Sequence, residues 1–265
     1  MMRPRSVAET GRWELTGNHY LALPCIAPAD GGIHRVNVLH RGALGLIEWG
    51  SDERPDPAAA PLLAPDVTVD GERLPFRELA WERLDGWIPS FRARVGDDLT
   101  IRGTICAPGG GTLLVAGAVY RLEVENRGAE RHDVVVSLAG TWRWSLRTVR
   151  TSRPLEARNR LVGASDGAGL VLVAGGEPSL ASLAILGGAG ATIAASSGTD
   201  EPRDLGPGAT IAAENGTPIR FRVATRLELG PRQRGVAEFH IAAAVERDGA
   251  EARARTLQRV GGAEL

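Results

Sequence analysis

Side chains along much of this chain switch between apolar and polar at every second position, and that period restricts the fold more than any other feature. Tyr120, Leu122 and Val124 share one face of a segment whose other face carries Arg121, Glu123 and Glu125. A period of two suits a pleated strand with one dry and one wet side, whereas a helix would scatter the same residues around its axis. Asn126-Arg127-Gly128 then reads as a turn, and Val134, Val136 and Leu138 open the next strand. Asp70-Gly71 lies between Asp66-Val67-Thr68-Val69 and Glu72-Arg73-Leu74, and this pair tolerates the positive φ of a tight hairpin turn. Val95-Gly96-Asp97-Asp98-Leu99 predicts another hairpin. Further strands are expected at 33–40, 44–49, 170–174, 181–186, 219–229 and 236–245.

The chain has 34 Gly and 16 Pro to punctuate these runs, and many short strands between turn signals predict a sandwich or barrel. The expected fold is all-β, a large two-sheet antiparallel sandwich over 1–247 followed by one short helix within 248–265. At 265 residues it fits a single domain, with no internal repeat or compositional break. Residues 52–65 and 196–207 read as surface loops. Asp248-Gly249-Ala250-Glu251 has capping-box spacing, so a helix is expected over 250–260, with Gly261-Gly262 as its stop. Such a short Ala/Arg-rich helix is marginal alone and is expected to pack on the sandwich or on a partner.

Charge narrows the function classes. Lys+Arg number 31 against 32 Asp+Glu, a net charge of -1, which argues against nucleic-acid and anionic-membrane partners. Every one of those bases is Arg, which suggests a GC-rich bacterial genome and removes Schiff-base lysine chemistry. Cys25 and Cys106 lack metal or dithiol spacing and read as two buried thiols. Met1-Met2-Arg3-Pro4-Arg5 is basic, but no apolar stretch of signal-peptide or membrane-span length follows, so a cytoplasmic protein is expected.

Gly86-Trp87-Ile88-Pro89-Ser90-Phe91, the segment from Leu99 to Pro108, Tyr120-Arg121-Leu122-Glu123-Val124-Glu125-Asn126 and Leu138-Ala139-Gly140-Thr141-Trp142 form a recognisable succession. It resembles the N-terminal β-sandwich of bacterial glycoside hydrolases and disaccharide phosphorylases whose catalytic part is an (α/α)6 barrel. The resemblance covers roughly residues 70 to 265. It implies a galactose-mutarotase-like supersandwich, with the ending from Val245 onward similar to the approach to a linker helix. In that family the catalytic carboxylates lie mainly on the barrel, which would require several hundred further residues. The chain ends at Leu265.

Candidate ligand residues come from the aromatic set, with 6 Trp against 2 Tyr and 4 Phe. Indole faces stack on the C–H faces of sugars, but they also fill the space between sheets. Trp81 and Trp87 form one pair. Trp142 and Trp144, two residues apart and expected on one strand face, form another, with Arg143 and Arg147 beside it. Glu82 and Asp85 would make an acid/base pair only if their segment were a loop, because a strand turns residues three apart to opposite faces. His132-Asp133 is the remaining weak candidate for a general base. Thr16-Gly17-Asn18-His19-Tyr20 resembles the Asn-His-x-Tyr stretch of aldose mutarotases, but lies too early in the chain and has no C-terminal Glu motif to match. No histidine has metal-ligand spacing and no cofactor is expected. Gly109-Gly110-Gly111 is most simply a turn.

The leading expectation is a non-catalytic sandwich, a domain or small subunit serving an (α/α)6-barrel enzyme that acts on carbohydrate or a glycosylated compound. One alternative is a stand-alone enzyme, an epimerase, isomerase or cyclase using a Trp-lined pocket with acid/base residues. The other is a plain carbohydrate-binding module.

Overall fold

A computed structural model of the chain describes residues 5–6 by their backbone, and residues 13–108, 115–176 and 179–261. Gly109-Gly110-Gly111 and Gly262 lie outside them. Strands are numbered β1 to β22 in chain order. The large sheet has ten strands in the order β1 (Arg5–Ser6), β8 (Phe76–Leu84), β9 (Ile88–Val95), β10 (Leu99–Cys106), β11 (Gly117–Asn126), β22 (Arg234–Ala244), β17 (Ala181–Leu186), β16 (Gly169–Ala174), β15 (Arg158–Gly163) and β20 (Thr210–Glu214). A six-stranded sheet follows the order β19 (Arg203–Asp204), β18 (Thr192–Ser197), β21 (Ile219–Leu229), β12 (His132–Trp142), β6 (Ala64–Val69) and β7 (Glu72–Arg73). A second runs β14 (Ser152–Pro154), β13 (Trp144–Thr148), β5 (Gly45–Gly50), β4 (Ile33–His40), β3 (Leu21–Ile26) and β2 (Glu14–Gly17). Every named pairing is antiparallel.

The period-two segments become strands with one face in a common core. Tyr120, Leu122 and Val124 are buried there with Trp81, Phe91, Ile101, Phe239, Trp49 and Val136, so all three sheets contribute to one apolar cluster. The expected hairpins form. Asp70 and Gly71 take φ of 51° and 89°, the left-handed pair that joins β6 to β7, and β9 and β10 pair through the Gly96 turn. The turn after β11 instead carries the chain from one sheet to another. The buried Asn126 amide makes that corner by donating to Glu130 O, Leu229 O and Gly230 O, so β12 begins beside β21 rather than beside β11.

Helix α1 (Arg247–Val260) lies on the outer face of the large sheet. Ala250, Ala254 and Leu257 bury against Val115, Val119, Val171, Ala184, Leu186 and Ala242, which explains how so short a helix persists. Its start differs from the capping box. The N-cap is Glu246 and makes no side-chain cap bond. Glu251 is buried instead, and its carboxylate accepts from Ser165 N at 3.3 Å and Ser165 Oγ at 2.9 Å. A tertiary partner outcompeted the local one. Cys25 is half-buried, Cys106 is buried, and both are free thiols raised by burial above the usual thiol pKa.

Candidate functional site

Trp142 and Trp144 do not share a strand, because the chain breaks between them. Trp142 ends β12 opposite Ile219, and Trp144 opens β13 opposite Gly50 in another sheet. Arg143 is the pivot: its N–H donates to Gly50 O at 3.1 Å, and its carbonyl accepts from Gly216 N at 2.8 Å and Asn159 Nδ2 at 3.0 Å. The two indoles therefore have different environments. Trp142 is fully buried, and its Nε1 donates to Trp144 O at 3.2 Å. Trp144 is half-buried and lines an open cleft of about 720 Å³ together with Arg143 and the acidic segment Asp52, Glu53 and Asp56.

Both walls of this cleft are anchored from beneath. Behind Trp144, Ser145 Oγ donates to Asn159 Oδ1 (2.8 Å), and Asn215 Oδ1 accepts from Ser145 N (2.8 Å) and Asn159 Nδ2 (3.2 Å). Asn215 Nδ2 in turn donates to Ser145 O and Leu155 O at 3.0 and 2.9 Å. Gly216, at φ 101°, follows because its backbone is left-handed and a Cβ there would stand 3.0 Å from the Trp144 ring. On the opposite wall, the buried Arg35 guanidinium donates to Asp52 O (2.9 Å) and Glu53 O (3.1 Å) while pairing with buried Glu48 at 3.4 Å. Buried polar groups hydrogen-bonded in this way fix geometry, although the Nε of Arg35 is left without a partner. Asp52 comes within 4.0 Å of the Arg143 guanidinium across the cleft. The result is an indole face, two arginines (Arg54 and Arg143) and three carboxylates around one depression. It can stack a sugar ring and hydrogen-bond its hydroxyls.

The other expected residues fall elsewhere. Trp81 is buried, donates Nε1–H to Pro28 O at 2.8 Å and packs on Phe91 with ring centroids 5.2 Å apart. Trp87 is 49% exposed in the β8–β9 turn, and its carbonyl accepts from Arg83. Glu82 stands on β8 and Asp85 beyond its end, in the left-handed region at φ 48°, so the segment is not the loop an acid/base pair would need. His132 Nδ1 hydrogen-bonds Asp70 Oδ2 at 2.7 Å, tying the start of β12 to the β6–β7 turn. That bond, then the Asp133 N–H, holds the Asp70 carboxyl below the usual range. Asp133 itself takes Arg226 in a two-point pair at 2.6 and 2.8 Å. Asn18, of the Asn18-His19-Tyr20 stretch, donates to Pro108 O and Val115 O, both at 2.9 Å, and so joins two connections.

Beyond α1, the outer face of the large sheet is a lattice of ion pairs. Glu82 pairs with Arg102 (2.5 Å) and Arg92 (3.3 Å), and Arg121 with Glu123 and Glu238 (both 3.3 Å). Arg234 pairs with Glu123 (3.6 Å) and Glu125 (3.1 Å). Burial raises the Glu82 pKa, but the hydrogen bonds and charge of Arg102, then Arg92, outweigh it and hold the carboxyl below its usual value. Such a group is a poor proton donor near neutral pH. His240 lies in the same face, with Nε2 3.7 Å from Glu238, but is only 2% exposed, and burial lowers its pKa. Among the described residues no group of three or more His, Cys, Asp or Glu could hold a metal ion, and no helix is long and apolar enough to cross a membrane.

No protein-family model matches the chain, and neither does any curated protein. Solved structures do. A GalM/aldose epimerase homologue from C. elegans superposes with a TM-score of 0.51 at 10% identity, over 89% of this chain and 99% of that one. The Slr1438 protein of Synechocystis sp. PCC 6803 gives 0.47 at 10% identity, over 92% and 97%. A putative kojibiose phosphorylase from the human microbiome gives 0.48 at 9% identity, over 100% of this chain and 38% of that one. The protein has the galactose-mutarotase-like β-supersandwich fold.

Proposed function

We propose that this chain is a non-catalytic, saccharide-binding β-sandwich whose ligand stacks on Trp144 in the cleft beneath residues 52–59. The observation that carries the reading is the grouping of one half-buried indole, Arg54, Arg143 and three carboxylates around one cavity whose walls rest on buried polar networks. Chemistry on the large sheet's outer face is disfavoured by its surroundings. The carboxylates of the large sheet's outer face are paired with arginines, and the buried His240 offers little access to a substrate. Calorimetric titration with glucose, galactose and maltotriose tests this. Saturable binding of at least one saccharide is expected, with loss in W144A. Silence of the wild-type chain across a broad glycan array would end it.

The sequence resemblance over residues 70 to 265 supports a catalytic (α/α)6-barrel partner acting on carbohydrate or a glycosylated compound. Size-exclusion of native extract should then place the chain in a complex rather than as a free monomer. A second reading, a stand-alone aldose epimerase, is favoured by the superposition along nearly the whole length of an epimerase homologue. Proton transfer at an anomeric centre needs an accessible acid and base. Polarimetry on fresh α-glucose or α-galactose distinguishes the readings, and the binding-only reading expects no rate above buffer.

A further inference from the structure

A second cavity lies far from Trp144 in composition and in place. It has a volume of about 410 Å³ at the seam where β3 and β4 of one smaller sheet meet the ends of β11, β17 and β22 of the large one. Its making follows from residue size. Ala116, Ala181 and Ala244 contribute no side chain beyond Cβ, and Ala243 N–H bonds Ala116 O at 2.7 Å, so the strand ends meet and leave space above them. The walls are apolar although they face water: Tyr20 is 42% exposed, Leu39 55% and Val245 51%. Leu39 N–H donates to Tyr20 O at 3.0 Å, which holds those two side chains on adjacent strand ends.

The rim has one sign of charge. Arg41 and Arg253 line the cavity, no carboxylate does, and neither arginine makes an ion pair among the described residues. Arg253 is positioned, because its Nη1 donates to Ala243 O at 2.5 Å and leaves its other donors for a ligand. Three other depressions, the Trp144 cleft among them, each include acidic side chains. In a chain with 32 Asp+Glu against 31 Arg, an apolar hollow with an all-cationic rim selects its occupant. An apolar wall asks for a hydrocarbon body, and unpaired guanidinium groups ask for an anion.

We propose that this seam pocket binds a small amphipathic anion, a compact hydrocarbon body lying against Tyr20, Leu39 and Val245 with a carboxylate-type head on Arg253 and Arg41. The site is independent of the saccharide cleft. Calorimetric titration of the full chain with octanoate, 1-octanol and octylamine tests it. Octanoate is expected to bind at one saturable site, about tenfold more tightly than 1-octanol, as one charge-assisted hydrogen bond predicts, and octylamine most weakly. Arg253→Gln should bring octanoate down to the 1-octanol level and leave 1-octanol unchanged. Ala244→Leu should fill the floor and abolish both. If that variant fails to fold, Arg253→Gln, a surface change, still decides. W144A should bind octanoate like the wild type. The proposal is overturned if wild-type protein shows no saturable octanoate binding, if 1-octanol or octylamine binds as tightly, or if Arg253→Gln leaves octanoate affinity intact.

Discussion

Replacing Trp142 and Trp144 separately by Ala should give opposite phenotypes, although only Arg143 stands between them. Trp142 has no exposed surface and spends its Nε1–H on Trp144 O. Truncating a buried indole to Ala costs about 3–5 kcal/mol from lost burial and the cavity left behind. In a domain of this size each kcal/mol lowers Tm by about 2–4 °C, so W142A should melt roughly 6–20 °C below wild type. Trp144 is half-buried at a cleft mouth and holds its neighbours through its backbone, which Ala retains. Its truncation removes about half as much buried surface without opening a closed cavity, about 1 kcal/mol or a few degrees. Saccharide affinity should move the other way, falling at least about tenfold in W144A, the scale of one lost stacking platform. Differential scanning calorimetry and titration on the same preparations measure both. If W144A melts as low as W142A, or binds saccharide as wild type does, Trp144 is core and the cleft is not a binding site.

Asn159→Ala should cost about 1–3 kcal/mol in denaturant unfolding, because Ser145 Oγ and the Arg143 carbonyl lose partners at a buried position, and it should weaken saccharide binding through the Arg143 pivot. Arg35→Met should destabilise by roughly 3–5 kcal/mol by leaving the Glu48 charge buried without its partner, and should free the Asp52 and Glu53 carbonyls. Burial depresses the His240 pKa, so the unfolded chain takes up that proton first. The stability linked to it is present above the ordinary value of 6.5 and is lost as pH falls through the depressed folded value, so His240→Phe should flatten a Tm-versus-pH profile between those two values. Glu251→Ala removes the acceptor for Ser165 and should speed amide hydrogen exchange in α1 relative to the sheets.

Strand positions were legible because their signal is local. The runs expected at 33–40, 181–186 and 219–229 coincide with β4, β17 and β21, since each is a short apolar or alternating run bounded by turn residues, and β17, buried at every position, needs no alternation. The C-terminal helix was legible for the same reason, though its first turn was not. The capping-box spacing was present, but Ser165 lies nearer to Glu251 in the fold than any statement about four consecutive residues could convey.

The candidate cleft shows where local reading stops. In sequence Asp52, Glu53 and Asp56 are only parts of a Pro-rich loop, and Asn159 and Asn215 carry no motif. Their meaning comes from arriving beside Trp144. The one available signal was the density of acids in a Pro-rich loop. A spacing of two makes Trp142 and Trp144 equivalent on one unbroken strand. A backbone break at Arg143, pinned by Gly50 and Gly216 from distant parts of the chain, sent one indole inward and left the other at a cleft. By itself, the order of residues determined that this chain makes strands, where they run and, in the alternating ones, which face stays dry. Which sheet each strand joins, and so which polar side chains meet, was decided only by pairing between remote segments, whose energies depend on neighbours that no window along the chain contains.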